Sequence, residues 1–151
     1  MRMNGKNIND YKLSGLDFPD KLRVSENKDV RILWIGPNNW LALSATVSLS
    51  EEIAKSLSND EFAITDLSHS KGMIELSGKY VIEVLKKGCP INFNDINKND
   101  VVNSIFNGIA VTLDFINDQP DKIRVMCLRS FGESLYHSVR DASLEFGYKA
   151  I

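Results

Sequence analysis

Two cysteines and two histidines in 151 residues are too few for a disulfide framework, and they are badly placed for a metal centre. Cys89 and Cys127 show neither Cys-x-x-Cys nor Cys/His spacing, so they read as buried, reduced thiols. His69 and His137 lie far apart and leave a metal short of local ligands. Glycine is scattered singly, at Gly36, Gly72, Gly78, Gly88, Gly108, Gly132 and Gly147 among others. No Gly-x-Gly-x-x-Gly or Walker-type run appears, which removes the usual dinucleotide and nucleotide cradles. A surplus of basic charge is also missing. The net charge is −2, with both signs mixed along the chain, so nucleic acid and anionic membrane are not indicated partners. No apolar run approaches the roughly 20 residues of a membrane helix. Residues 1–10 are polar and lack the apolar centre of a secretory signal, and the expected location is cytoplasmic.

What is present is an ordinary globular composition, 43% hydrophobic and 25% charged, at a length suited to one core. Residues 1–28 are rich in Asn, Lys, Asp and Ser and poor in periodicity. They are expected to form an N-terminal arm, with Leu13, Leu16 and Phe18 as anchors, leaving 29–151 as a single domain. Val30 to Gly36 and Trp40 to Thr46 read as a hairpin around Pro37-Asn38-Asn39. Ser48-Leu49-Ser50-Glu51 is a capping-box pattern that opens a helix reaching about Ser58. Phe62 to Leu67 reads as a strand, Lys71-Gly72 as a turn and Met73 to Leu76 as a second strand. Lys79 to Lys87 reads as a helix, with Gly88 as its left-handed cap and Pro90 as its stop.

Residues 91–100 form a polar loop. Val101 to Phe106, Asn107-Gly108 and the alternating Ile109, Val111, Leu113 and Phe115 make the sharpest hairpin signal in the chain. Asn117 to Asp121 supplies another turn, and Ile123 to Leu128 another strand. Ser130-Phe131-Gly132-Glu133 is a second capping-box match, followed by the stripe Leu135, Val139, Ala142 and Phe146. Strands grouped between single helices predict an α+β domain, an antiparallel-rich sheet with helices packed on one face.

Few residues in this chain invite a chemical role. Asp66-Leu67-Ser68-His69 contains a serine beside a histidine, but neighbours in a strand point to opposite faces and no nucleophile elbow surrounds Ser68. His137 has Glu133 one helical turn before it, which is ordinary helix-face pairing. Glu51-Glu52 fits a helix start, and Asp118 with Asp121 fits a turn. No catalytic, cofactor-binding or metal-binding residue is expected. Large aromatics serve as core or interface anchors, and Trp34, Trp40 and Tyr136 are the candidates for a partner interface.

Four segments carry a family resemblance: Leu33-Trp34-Ile35-Gly36-Pro37, Asp66-Leu67-Ser68-His69-Ser70, Lys87-Gly88-Cys89-Pro90, and Arg129-Ser130-Phe131-Gly132-Glu133-Ser134-Leu135-Tyr136-His137. Over about residues 30 to 148 the chain resembles the gamma subunit of heterotetrameric sarcosine oxidase. Those subunits are distant relatives of the folate-binding domain of aminomethyltransferase, the glycine-cleavage T-protein. That protein has a similar Asp-x-Ser-His stretch, then a strand, then Ser/Thr-Gly opening a helix, here Ile74-Glu75-Leu76 and Ser77-Gly78-Lys79. The T-protein's aspartate pair after the Asn-Gly-type turn is not matched. This chain has Ile109-Ala110-Val111-Thr112-Leu113 there, and Asp114 comes late and alone.

The resemblance therefore implies the fold without the folate chemistry. It implies a non-catalytic subunit that binds no cofactor itself, within a complex of alpha, beta, gamma and delta subunits. The other subunits of such a complex use FAD, FMN, NAD, tetrahydrofolate and zinc. The complex demethylates sarcosine to glycine, yielding hydrogen peroxide and passing the one-carbon unit to tetrahydrofolate. The alternatives are a free-standing folate-binding or aminomethyltransferase-like enzyme, and an interaction domain that uses the same fold in another assembly.

Overall fold

The computed structural model describes residues 1–3, 8–46, 49–57, 60–118 and 121–151. Their contacts gather into two compact units, Met1–Asp66 and Leu67–Ile151. This differs from the expected arm followed by one domain over 29–151.

In the first unit, β1 (Arg2–Met3), β4 (Val24–Glu26), β5 (Val30–Gly36), β6 (Asn39–Ser44) and β7 (Phe62–Ala63) form a sheet in the order β4-β5-β6-β1-β7. A separate hairpin pairs β2 (Lys12–Leu13) with β3 (Leu16–Asp17) through Ser14 and Gly15, both at positive φ. The helix α1 spans Leu49–Ser56. The expected cap Ser48 lies outside the described residues.

Residues 8–28 contribute Leu13, Phe18 and Val24 to the buried core of this unit and so are not a separate arm. Leu13 is wholly buried, and Phe18 packs edge-on to Trp40 at 5.3 Å and stacked on Phe62 at 5.9 Å. The segment looked irregular because its strands are two or three residues long, too short to display a period of two. Asn27 closes the next turn by accepting from the N–H groups of Asp29 and Val30, both at 2.9 Å. Arg31, nearly buried, pairs with Glu26 across the turn. The expected strand Phe62 to Leu67 stops at Ala63.

The second unit runs β8 (Lys71–Ser77), α2 (Val81–Lys86), β9 (Val101–Phe106), β10 (Ile109–Asp118), β11 (Asp121–Leu128), α3 (Gly132–Ser143). Its four strands are antiparallel in the order β8-β11-β10-β9. The inward residues Ile74, Val111, Leu113, Ile123 and Val125 share one hydrophobic cluster with Val84 and Leu85 of α2 and with Leu135 and Val139 of α3. Both helices therefore cover the same face of the sheet, which is the α+β arrangement expected. On the opposite face Asp114 and Met126 are fully buried, and the register sets Asp114 opposite Arg124.

Three local expectations change. Lys71 and Gly72 are not a turn. They extend β8 by pairing with Leu128 and Cys127. Gly88 is not a left-handed cap, since its φ is not positive. Its lack of a side chain admits Phe106, because a Cβ there would stand 2.8 Å from the ring, and its carbonyl accepts from Asn107 N–H at 3.1 Å. Ser130 does not cap the last helix. It sits in a 3-10 turn over Arg129–Phe131, and α3 begins at Gly132 with no side-chain cap. The Asn107-Gly108 turn is as expected, with φ of 47° and 84° joining β9 to β10.

Candidate functional site

The three aromatic candidates fare differently. Trp34 and Trp40 face each other across the β5–β6 register. Trp40 is only 3% exposed, and its indole N–H donates to the Pro19 carbonyl at 3.1 Å. It is a core residue, with no surface to offer a partner in the folded chain. Trp34 is half-buried and packs against the same cluster. Tyr136 is the most exposed of the three, at 42% on the outer side of α3.

Tyr136 lines a groove of about 870 Å³ in the second unit. Local sequence explains how the groove arises. Gly78, at φ 128°, turns the chain sharply out of β8 and into α2. Gly147, at φ 72°, ends the last helical turn and sends residues 148–151 off as a tail without regular structure. Between these two turns, β8 and the start of α2 form one wall, with α3 and the tail as the other. The base is apolar, made by Ile74, Leu76, Val81, Val84 and Val139, which also face the core cluster. The rim is aromatic. Tyr80 stacks on Phe146 at 4.9 Å, and Tyr136 and Tyr148 are both well exposed.

The groove's charges are unbalanced. Glu75 is the acidic side chain in its lining, and it is held between Lys122 at 2.8 Å and Arg124 at 3.1 Å. Those two partners, chiefly the hydrogen bond from Lys122, keep its carboxyl below the usual carboxylate range. Arg140 is paired with Asp141 at 3.0 Å. Lys79 lies over the Tyr80 ring at 5.2 Å, and among the described residues neither Lys79 nor Lys149 has a carboxylate within ion-pair reach. Among the lining side chains, Lys79, Arg140 and Lys149 outnumber the single carboxylate of Glu75.

The segments weighed for a chemical role and set aside make local contacts. Leu67 to Ser70 make a turn in which Ser70 N–H and Oγ both donate to the Leu67 carbonyl, at 3.0 and 2.9 Å. His137 lies 3.7 Å from Glu133 on an exposed helix face. Among the described residues no three His, Cys, Asp or Glu side chains gather in a way that could hold a metal. Both thiols are buried, and burial pushes Cys89 up to about 11 and Cys127 upward as well.

The sequence reading missed Met73, Tyr80 and Tyr148 as exposed rim residues. Met73 carried a usable signal. It falls out of phase with Ile74 and Leu76, so in a strand it must face away from the core.

Comparison with known proteins gives a consistent result. The model of the sarcosine oxidase gamma subunit family matches residues 8–145. The sarcosine oxidase subunit gamma of Corynebacterium sp. (strain P-1) is 28% identical over 123 residues, covering 80% of this chain and 60% of that protein. The subunit gamma from Corynebacterium sp. (strain U-96) is 27% identical over 118 residues, covering 76% of this chain and 57% of its own length. The chain thus spans somewhat under two thirds of these curated relatives. A solved chain of the heterotetrameric sarcosine oxidase from Corynebacterium sp. U-96, in complex with pyrrole 2-carboxylate, matches with a TM-score of 0.80. It is 24% identical and covers 92% of this chain and 73% of that one, which establishes the shared fold.

Proposed function

This chain belongs to the sarcosine oxidase gamma subunit family, and from that premise we propose that it is the non-catalytic gamma subunit of a sarcosine-oxidase-type heterotetramer. Its partners are alpha, beta and delta subunits, with the alpha subunit as its main structural neighbour. The complex oxidatively demethylates sarcosine to glycine and passes the one-carbon unit to tetrahydrofolate, working in the cytoplasm. The observation that carries the reading is the family match across residues 8–145, which takes in both compact units.

The side chains support a subunit without chemistry of its own. Ser68 and His69 belong to an exposed turn. Asp114, the carboxylate nearest the position of the T-protein's aspartate pair, is fully buried. On this reading FAD, FMN, NAD, tetrahydrofolate and zinc belong to the other subunits. No helix among the described residues is long and apolar enough to cross a membrane.

Co-expression tests the proposal. The tagged chain is produced with the alpha-, beta- and delta-type subunits of its source, purified, and assayed for bound flavin and sarcosine-dependent peroxide. A stoichiometric flavin-containing complex is expected, while the chain alone is colourless and silent. Peroxide production by the chain alone, or a complex of the other three that never takes it up, refutes the reading.

A further inference from the structure

β8 lies at one edge of its sheet, and its hydrogen-bonding phase is fixed at both ends. Gly78 N–H donates to the Asp121 carbonyl at 3.0 Å, and Arg129 N–H donates to the Ser70 carbonyl at 2.9 Å. Backbone groups alternate by two along an antiparallel strand, so the even residues of β8 point theirs at β11. The N–H and C=O groups of Lys71, Met73, Glu75 and Ser77 then point away from the sheet. Among the described residues no other backbone group bonds to them. A free strand edge is a template for another strand. Here it runs along a groove with an apolar base, an aromatic rim and two lysines lacking a carboxylate partner.

We propose that an extended, acidic and apolar segment of a partner subunit adds to β8 as a fifth strand. Its backbone bonds to Met73, Glu75 and Ser77, its apolar side chains enter the groove beside Tyr136, and its carboxylates meet Lys79 and Lys149. The inference rests on the subunit reading above and gives it a contact surface. Strand addition explains the combination better than a flat side-chain interface does, because the outward backbone row and the groove share one line. Charge decides the occupant. Glu75 is already neutralised from within the sheet, so the groove favours an anionic segment over a neutral one.

The test uses the co-expressed complex and residue-resolved amide exchange. In the free chain the amides of Met73, Glu75 and Ser77 exchange as open edge positions. In the complex they slow by about tenfold or more, as newly bonded amides do. Met73→Pro removes an outward N–H without removing a ladder bond, and it weakens association by about tenfold or more. Ile105→Pro, on the strand at the opposite edge, leaves association unchanged. The pair Lys79→Glu and Lys149→Glu weakens association and flattens its dependence on salt.

A complex that forms while the three amides stay unprotected, or that tolerates Met73→Pro, overturns the proposal and leaves the subunit reading intact. A wild-type chain that joins no flavoprotein subunit overturns the subunit reading and this inference together. Protection appearing in a dimer of the chain alone would assign the edge to a second copy instead, which also overturns it.

Discussion

Gly88→Ala isolates why the Lys87-Gly88-Cys89-Pro90 segment has its composition. An added Cβ would lie 2.8 Å from Phe106 Cδ2 and 2.9 Å from both Phe106 Cε2 and Asn107 Oδ1. Carbon atoms prefer separations of about 3.5–4.0 Å, so the overlap is about 0.7 Å or more. Phe106 is fully buried in the core cluster, and its ring has no solvent to retreat into. Overpacking of this kind costs about 1–3 kcal/mol. Against it, alanine restricts the unfolded chain and returns about 0.4–1 kcal/mol where the backbone tolerates it. Gly88 does have an ordinary negative φ, so that gain is real.

Taken at mid-range, the balance is a net loss of about 1.3 kcal/mol, or roughly 3–5 °C in melting temperature for a chain of this length. The two cysteines both lie in the second unit, so thiol labelling during urea unfolding reports on that unit directly. The cycle with Phe106→Leu supplies the decisive comparison. Phe106→Leu costs stability alone, but in its presence the cost of Gly88→Ala falls to what the Asn107 Oδ1 contact still imposes. If Gly88→Ala raises the midpoint in the wild-type background, the close approach is not what selects glycine.

Trp40→Ala empties a core site and removes the donor to Pro19. It should destabilise by about 3–5 kcal/mol and lower circular-dichroism melting accordingly, making it a folding variant and not an interface variant. Ser130→Ala should shift the denaturation midpoint by no more than about 0.5 kcal/mol, because the exposed serine caps nothing; a loss near 1 kcal/mol would restore the capping role. Cys89 keeps its proton in the folded chain until about pH 11, whereas the unfolded thiol titrates near 9. The native state thus binds more protons between those values, and stability falls as pH rises from 9 to about 11. Disulfide-exchange reagents at pH 8 should leave both thiols unmodified until denaturant is added.

Much of the second unit was legible in the sequence because its elements are long enough to show their period. Val101 to Phe106, the Asn107-Gly108 turn and the alternating residues after it are local statements, and local sterics suffice to make them true. The helical stripe from Leu135 to Phe146 is another. The first unit was harder to read. Its strands near the N-terminus span two or three residues, and what makes Leu13 and Phe18 core residues is contact with Trp40 and Phe62, distant in sequence. Ser130 and Gly88 show the same limit from the other side. A capping-box pattern and a glycine after a helix each have a common local meaning. In both places the tertiary structure chose another, a 3-10 turn before α3 and a close approach to Phe106.

The aromatic candidates divide on the same line. Composition identified Trp34, Trp40 and Tyr136 as anchors, but only packing separates an anchor in the core from one on the surface. The groove itself could not be foreseen. It joins β8, α2, α3 and the tail, four segments spread over nearly eighty positions, and its free strand edge exists because β11, not a fifth strand, lies beside β8. Periodicity records which face of an element is buried. The neighbour that buries it, and the edge left without one, are decided by topology.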